Sequence, residues 1–231
     1  MRKLVLEIVL ESETLSGSGQ SYGALIDSDV VYDDFGLPFI PAKRIKGCLR
    51  DSLEELLYFF HSVDKDYKIF QLIDPDLCFG QRNERGNEFR GKSGLVRFSN
   101  LKIKGYESIK SNLHNLINTE KSYSKYFHSE SVLENYTILK RSTSIDEETG
   151  SAKFTSLRTI RALKKNLIFE GELEFPENQN LEYALALAVS NFRSMGTSRN
   201  RGLGRIASSL KDEKGNTTEN LIKELRKKCE S

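Results

Sequence analysis

The chain has 231 residues, enough for one large domain or two small ones with a buried core, and its 35 basic against 33 acidic residues leave a formal charge of only +2. That balance excludes a global basic field, so a nucleic-acid partner requires positive charge gathered locally. Cys48, Cys78 and Cys229 are too widely spaced for a disulfide framework and fit a reducing compartment, and His61, His114 and His128 do not have zinc-site spacing.

The N-terminal stretch MRKLVLEIVLESE is interrupted by Glu7 and Glu11. It is too short and too charged for a signal peptide or a membrane span, which predicts a cytoplasmic protein with no membrane partner. Residues 3–10 alternate, with Leu4, Leu6, Ile8 and Leu10 on one face, and predict a strand. A small-residue loop over 16–23 leads into four acids, Asp27, Asp29, Asp33 and Asp34, with no base among them. Gly36, Pro38 and Pro41 then impose turn and extended chain. A helix is predicted from about Ala42 to Phe60, with Ile45, Leu49, Ser52, Leu56 and Phe60 as its core stripe and Lys43, Lys46 and Arg50 on another face. Residues 74–94 read as a polar, mobile loop, 94–103 as a strand, and 105–135 as a polar region of weak helical pattern. Two extended arms around a polar turn occupy 136–163, and NLIFEGELEF (166–175) is the clearest strand. A helix follows over 181–196 with Gly196 as its stop, then the loop TSRNRGLGR, the short strand RIASSL and a charged helix from about Thr217. This order predicts an α+β fold: a ferredoxin-like core in a single domain, 1–231, with insertions at about 61–93 and 104–165.

Basic residues gather in three places. Lys43, Arg44, Lys46 and Arg50 open the first helix, where unsatisfied N–H groups also favour an anion. Lys140, Arg141, Lys153, Arg158, Arg161, Lys164 and Lys165 lie on the paired arms. Arg193, Arg199, Arg201 and Arg205 are interwoven with Gly196, Gly202 and Gly204; glycine admits close backbone approach to a phosphate, and arginine supplies planar donors. Together they form a track for a phosphate backbone, although each alone is equally a solvated face. Carboxylates beside such a track repel RNA unless a metal ion lies between them. Asp33 and Asp34 read as turn formers, which leaves Asp27 as the better catalytic candidate and Asp29 as the second, against the plain alternative of a hydrophilic loop. Tyr22, Tyr32 and Phe35 flank this loop as either base-stacking or core residues. No P-loop, nucleophile elbow or Cys–His pair is present.

The block Ile26-Asp27, Asp33-Asp34, Leu37-Pro38-Phe39-Ile40-Pro41 and Lys46-Gly47-Cys48-Leu49-Arg50 resembles the signature of the RAMP superfamily of CRISPR-associated proteins. Cys78-Phe79-Gly80, Gly94 to Asn100, the arms 141–150 and 152–161, Phe169-Glu170-Gly171 and Gly196 to Arg205 resemble later family blocks in the right order, so the resemblance spans about residues 1–210. Ala42-Lys43-Arg44, where many backbone subunits have Gly-Ser or Ser-Ser, looks more like the type III-D branch.

The resemblance implies a modified RRM fold with a thumb-like β-hairpin, and a subunit that lines up with other type III effector subunits along a guide RNA. It implies that Lys43, Arg44, Lys46, Arg50, Arg158, Arg161, Arg199, Arg201, Gly202, Gly204 and Arg205 bind RNA. It further implies that Asp27, with Asp29 nearby, cleaves complementary target RNA with Mg²⁺ held at Asp27, while base pairing reads the sequence. Two other roles remain on the same fold: a non-catalytic subunit that caps the 5′ handle of the guide, and a guide-processing endoribonuclease.

Overall fold

The structure, a computed structural model, describes residues 1–17, 26–64, 67–82, 91–119, 126–143, 145, 150–151 and 157–230. Tyr22, Lys153 and parts of the 74–94 loop and of the polar turn between the arms lie outside the described residues.

Strand β1 (Arg2–Leu10) is central, because its alternating Leu4, Leu6, Ile8 and Leu10 face a fully buried core. It pairs antiparallel with β7 (Ile168–Phe175) on one side and with β8 (Ile206–Asp212) on the other. Beyond β7 come β4 (Leu101–Ile103) and β2 (Phe39–Ile40), with β3 (Arg97–Phe98) also on β7, and the short β9 (Gly215–Asn216) closes the far edge. The order β4-β7-β1-β8, with a helix after β1 and another after β7, is the antiparallel ferredoxin-like arrangement that the element order predicts. Gly171 is glycine for a packing reason: a Cβ there would sit 2.8 Å from a methyl of Leu101 on the neighbouring strand.

Helices α1 (Ala42–Val63), α6 (Gln179–Asn191) and α7 (Thr218–Glu230) cover one face of the sheet. In α1 the buried residues are Ile45, Leu49, Ser52 and Leu53, while Leu56 and Phe60 are half-buried. Helix α6 is buried on nearly every side. It ends at Asn191, five residues before Gly196, because Phe192 leaves helical geometry and Met195 bonds instead to the Gly204 carbonyl.

The segments between the core strands carry α2 (Ile69–Leu72), α3 (Pro75–Phe79), α4 (Tyr106–Thr119) and α5 (Ser129–Tyr136). Asp74 caps α3 and Pro75 opens it, so part of the stretch read as loop is helical. The two arms are strands β5 (Thr137–Ser142) and β6 (Arg158–Leu163), which form a hairpin outside the main sheet. Among the described residues, no helix is long and apolar enough to cross a membrane.

Candidate nucleic-acid interface

The start of α1 and the loop after α6 face each other across a groove. One part, about 620 Å³, is bounded by Cys48 and Asp51 of α1 and by Asn191, Arg193 and Arg199 of the opposite wall. A second part, about 360 Å³, is bounded by Arg44 of α1, Gly17, Ser28 and Thr197, and both parts share Cys48 and Gly196. Asn191 donates to the Ser52 carbonyl (3.0 Å) and to Glu55 (3.2 Å), which ties α6 to α1 at the groove wall.

The loop from Arg193 to Arg205 is stitched to the segment after β1. The Thr197 amide donates to Leu15 O, Gly204 N to Glu13 O, and Glu11 N and Ser12 N to Arg205 O. Gly196 is left-handed (φ +83°), and a Cβ on it would lie 2.3 Å from the Leu15 carbonyl oxygen. Arg199–Arg201 forms a single 3-10 turn, and Arg193, Arg199 and Arg201 are exposed. Among the described residues, Lys43, Lys46, Arg193, Arg199 and Arg201 make no ion pair with an acid. Arg44 reaches Ser16 Oγ at 3.1 Å across the groove. Burial and the nearby Asp51 push the Cys48 thiol up, while Arg44 and Arg199 pull it the other way, so both cations act on the same groove wall.

The helix start is not wholly free to receive an anion, since Ala42 N donates to the Asn100 side chain (2.9 Å). Arg50 is also occupied: it bonds Glu54 (2.6 Å), Asp76 (2.5 Å) and the Gly80 carbonyl, and so joins α1 to α3 rather than facing the groove. Arg205 pairs with Glu11 at 2.7 Å on the surface.

The four acids separate. Asp33 accepts from Phe35 N and Leu37 N and from the Tyr106 hydroxyl (2.6 Å), and it builds the turn in which Gly36 (φ +80°) packs against the Ser129 carbonyl. Asp34 is exposed. Asp29 is 1% exposed; it accepts from Val30 N at 2.7 Å and pairs with Arg161 at 3.3 Å. Asp29 is therefore withdrawn from solvent, as is Arg161, itself 6% exposed and read from sequence as an RNA contact. Asp27, like Asp34, is exposed. Its Oδ2 accepts from Thr159 N at 2.7 Å, and the next residue, Ser28, lines the groove.

Among the described residues, no group of three or more His, Cys, Asp or Glu could hold a metal ion. Among the described residues, a divalent ion at Asp27 would meet that single carboxylate, with its other ligands drawn from water or a bound phosphate.

On the hairpin, Arg158 and Arg141 are exposed, as are the apolar Ile138, Leu139, Ile145 and Leu157. Lys140 pairs with Glu13, and Lys164 donates to the carbonyls of Glu134 and Asn135 at the end of α5. Sequence reasoning missed Cys48, which the i, i+4 spacing places on the Arg44 face, and Ser28 and Asn100, for which no local signal exists.

A ferredoxin-like core with a hairpin outside the sheet and a glycine–arginine loop opposite the first helix is thus the architecture of this chain. The sequence matches the RAMP superfamily over residues 7–207, and the chain belongs to that family. No curated protein sequence matches it. Its fold is similar to a chain of the type III-B Cmr-beta complex bound to cognate target RNA, at TM-score 0.63 and 12% identity over 96% of this chain and 99% of that one. It is also similar to a chain of the apo state of type III-B Cmr-beta (TM-score 0.60, 14% identity, 91% and 98% covered) and to one of a type IV-B CRISPR complex (0.53, 12%, 92% and 91%).

Proposed function

We propose that this protein is a subunit of a type III-like CRISPR effector complex that holds guide RNA in the α1–loop groove and cleaves the paired target RNA. The observation that carries the reading is the groove itself. Arg44, Arg199 and Arg193 converge on it from two walls, Gly196 brings the backbone close, and Ser28, beside Asp27, forms its rim. Lys43 and Arg201 extend the positive surface, whereas the half-buried Lys46 lies on the Arg50 side of α1 beside Cys78; Gly202 keeps the loop open to a phosphate, and Arg158 adds a contact on the hairpin. The chains of similar fold come from CRISPR complexes, one of them bound to cognate target RNA, which supports a place among further effector subunits and RNA. The leaning toward the III-D branch rests on Ala42-Lys43-Arg44 alone.

Mg²⁺ bound at Asp27 would supply charge stabilisation at the scissile phosphate and an activated oxygen nucleophile. This chain's part is to present the Asp27 carboxylate in a fixed orientation through Thr159, and to hold the guide strand so that the target strand lies against the rim. A non-catalytic, handle-capping role is favoured by one observation, the burial of Asp29, which leaves a single exposed carboxylate between residues 26 and 30. The guide-processing role gains no such support: His61, in the last turn of α1, packs edge-on against Phe70.

Asp27→Ala in the assembled complex separates the first two. Loss of cleavage by about 100-fold or more with target binding retained supports cleavage, whereas unchanged cutting at every site assigns the capping role. Guide binding is tested independently at Cys48: bound guide slows its alkylation if the groove is the RNA site, and an unchanged alkylation rate removes the groove from the proposal.

A further inference from the structure

We infer that the buried Asp29–Arg161 pair is a positioning device that sets where the Asp27 carboxylate stands, an inference that rests on the cleavage reading above. Asp27 lies beside no regular strand of the main sheet, yet it is held on three sides. Its amide donates to Thr159 O (2.9 Å), its Oδ2 accepts from Thr159 N (2.7 Å), and Arg161 N donates to Ser28 O (3.0 Å). Ser28 and Ile160 form a parallel bridge. Residues 27–28 are thus a short third strand on the free edge of β6, and Asp27 goes where β6 goes.

What fixes β6 is less obvious, because a two-stranded hairpin outside a sheet is marginal alone. Thr14 and Leu163 exchange backbone hydrogen bonds at its base (3.0 and 2.8 Å). The second anchor is the ion pair. Arg161 reaches Asp29 at 3.3 Å and Glu130 of α5 at 3.4 Å, with side-chain exposures of 8% for Arg161 and 2% for Asp29. Asp29 divides its oxygens between Val30 N and Arg161, so it is locked to its own backbone and to the hairpin together.

A charge pair this deep is a poor source of stability, since an apolar pair of similar volume commonly does as well. It is a good source of register. A one-residue slip of 27–29 against 159–161 would part Asp29 from Arg161 and take Asp27 away from the Thr159 amide. Arg161 therefore acts on RNA only through Asp27, and the hairpin contact to RNA falls to exposed neighbours such as Arg158.

The test is the double variant Asp29→Asn with Arg161→Met, which leaves no buried charge unpaired, in the complex reconstituted with guide and complementary target. Positioning predicts that target affinity and its salt dependence stay within about threefold, while single-turnover cleavage falls by about 100-fold. It also predicts that the amides at positions 159 and 161 exchange hydrogen about tenfold faster while those of β1 do not. Arg158→Gln is the contrast: weaker, less salt-dependent RNA binding with exchange at Thr159 unchanged.

Weaker RNA binding by the double variant, with normal exchange, overturns the inference and returns Arg161 to the RNA surface. Unchanged exchange and unchanged cleavage also overturn it, in favour of a purely structural pair. If the wild-type complex leaves target intact, the cleavage reading fails and the positioning role fails with it, and exchange alone still decides whether the pair locks the hairpin. Should the double variant not fold, Glu130→Gln removes the exposed partner of Arg161. Faster exchange at Thr159, by about threefold, then supports the inference, and none opposes it.

Discussion

Gly202 and Gly204 stand two residues apart, both left-handed, and do different work. A Cβ on Gly204 would lie 2.1 Å from the Met195 carbonyl oxygen, whereas nothing stands within 4 Å of one on Gly202. Gly204→Ala is therefore expected to destabilise by more than about 1 kcal/mol and to loosen the loop, and Gly202→Ala to cost only the backbone strain. Thermal melts of the two variants should rank them in that order. Glu7 gives a second residue-scale expectation. Burial pushes its carboxyl up, but hydrogen bonds from Lys211 and Lys104, and one with Glu170, outweigh this and hold it below its ordinary 4.5. A depressed carboxylate contributes stability that is fully present above the unfolded value and is lost as pH falls through the folded one. Glu7→Gln should thus lower stability at pH 7, and the gap from wild type should narrow as pH drops below about 4.5, measured by denaturant titration across pH.

At the scale of elements, the start of α1 is the junction on which the groove depends. Asn100, from the turn between β3 and β4, caps it through Ala42 N, so Asn100→Ala should cost about 1 kcal/mol and fray the first turn that carries Lys43 and Arg44. Amide exchange at Lys43 and Arg44 checks it. Strands β1 and β7 and helix α1 were legible because one face of each is repetitive: Leu4, Leu6, Ile8 and Leu10, or Ile45, Leu49 and Leu53, announce a core wherever it lies. The turn roles of Asp33 and Gly36 were legible because a turn is local chemistry. Asp29, Arg50 and Arg161 were not. Whether a charge faces water or a partner is decided by residues far along the chain, 132 positions away for Asp29 and Arg161 and 26 for Arg50 and Asp76. Helix α6 was read past Asn191 because Phe192 and Met195 continue its apolar spacing, although they are buried in a turn that returns to meet Gly204.

Across the whole molecule, charge is sorted by side rather than in total. The sheet face away from the helices carries a lattice in which Lys3 meets Glu172 (3.5 Å) and Glu174 (2.6 Å), Lys104 meets Glu7 and Glu170 (both 3.2 Å), and Lys211 meets Glu7 (2.5 Å). Among the described residues, most cations on that surface are matched by carboxylates, and the exposed Arg97 stands beside Glu174, in contrast to the groove. RNA affinity should therefore fall with salt, with a slope reduced by about 0.7 for each of Arg199 and Arg201 changed to Gln, while Glu172→Gln leaves the slope unchanged. Filter binding over a salt series measures both.

The closure of the Arg193–Arg205 loop onto the segment after β1 also sets a timetable for synthesis. One wall of the groove leaves the ribosome early, with Arg44 and Cys48; the other comes only with Arg193 and Arg199, after every other strand except β8 and β9. A nascent chain halted before that point carries α1 with its cations but has nothing opposite them. Under the proposed function, guide loading would wait until residues 193–199 are made, and a product stalled before them would have no complete groove with which to sequester guide from intact subunits.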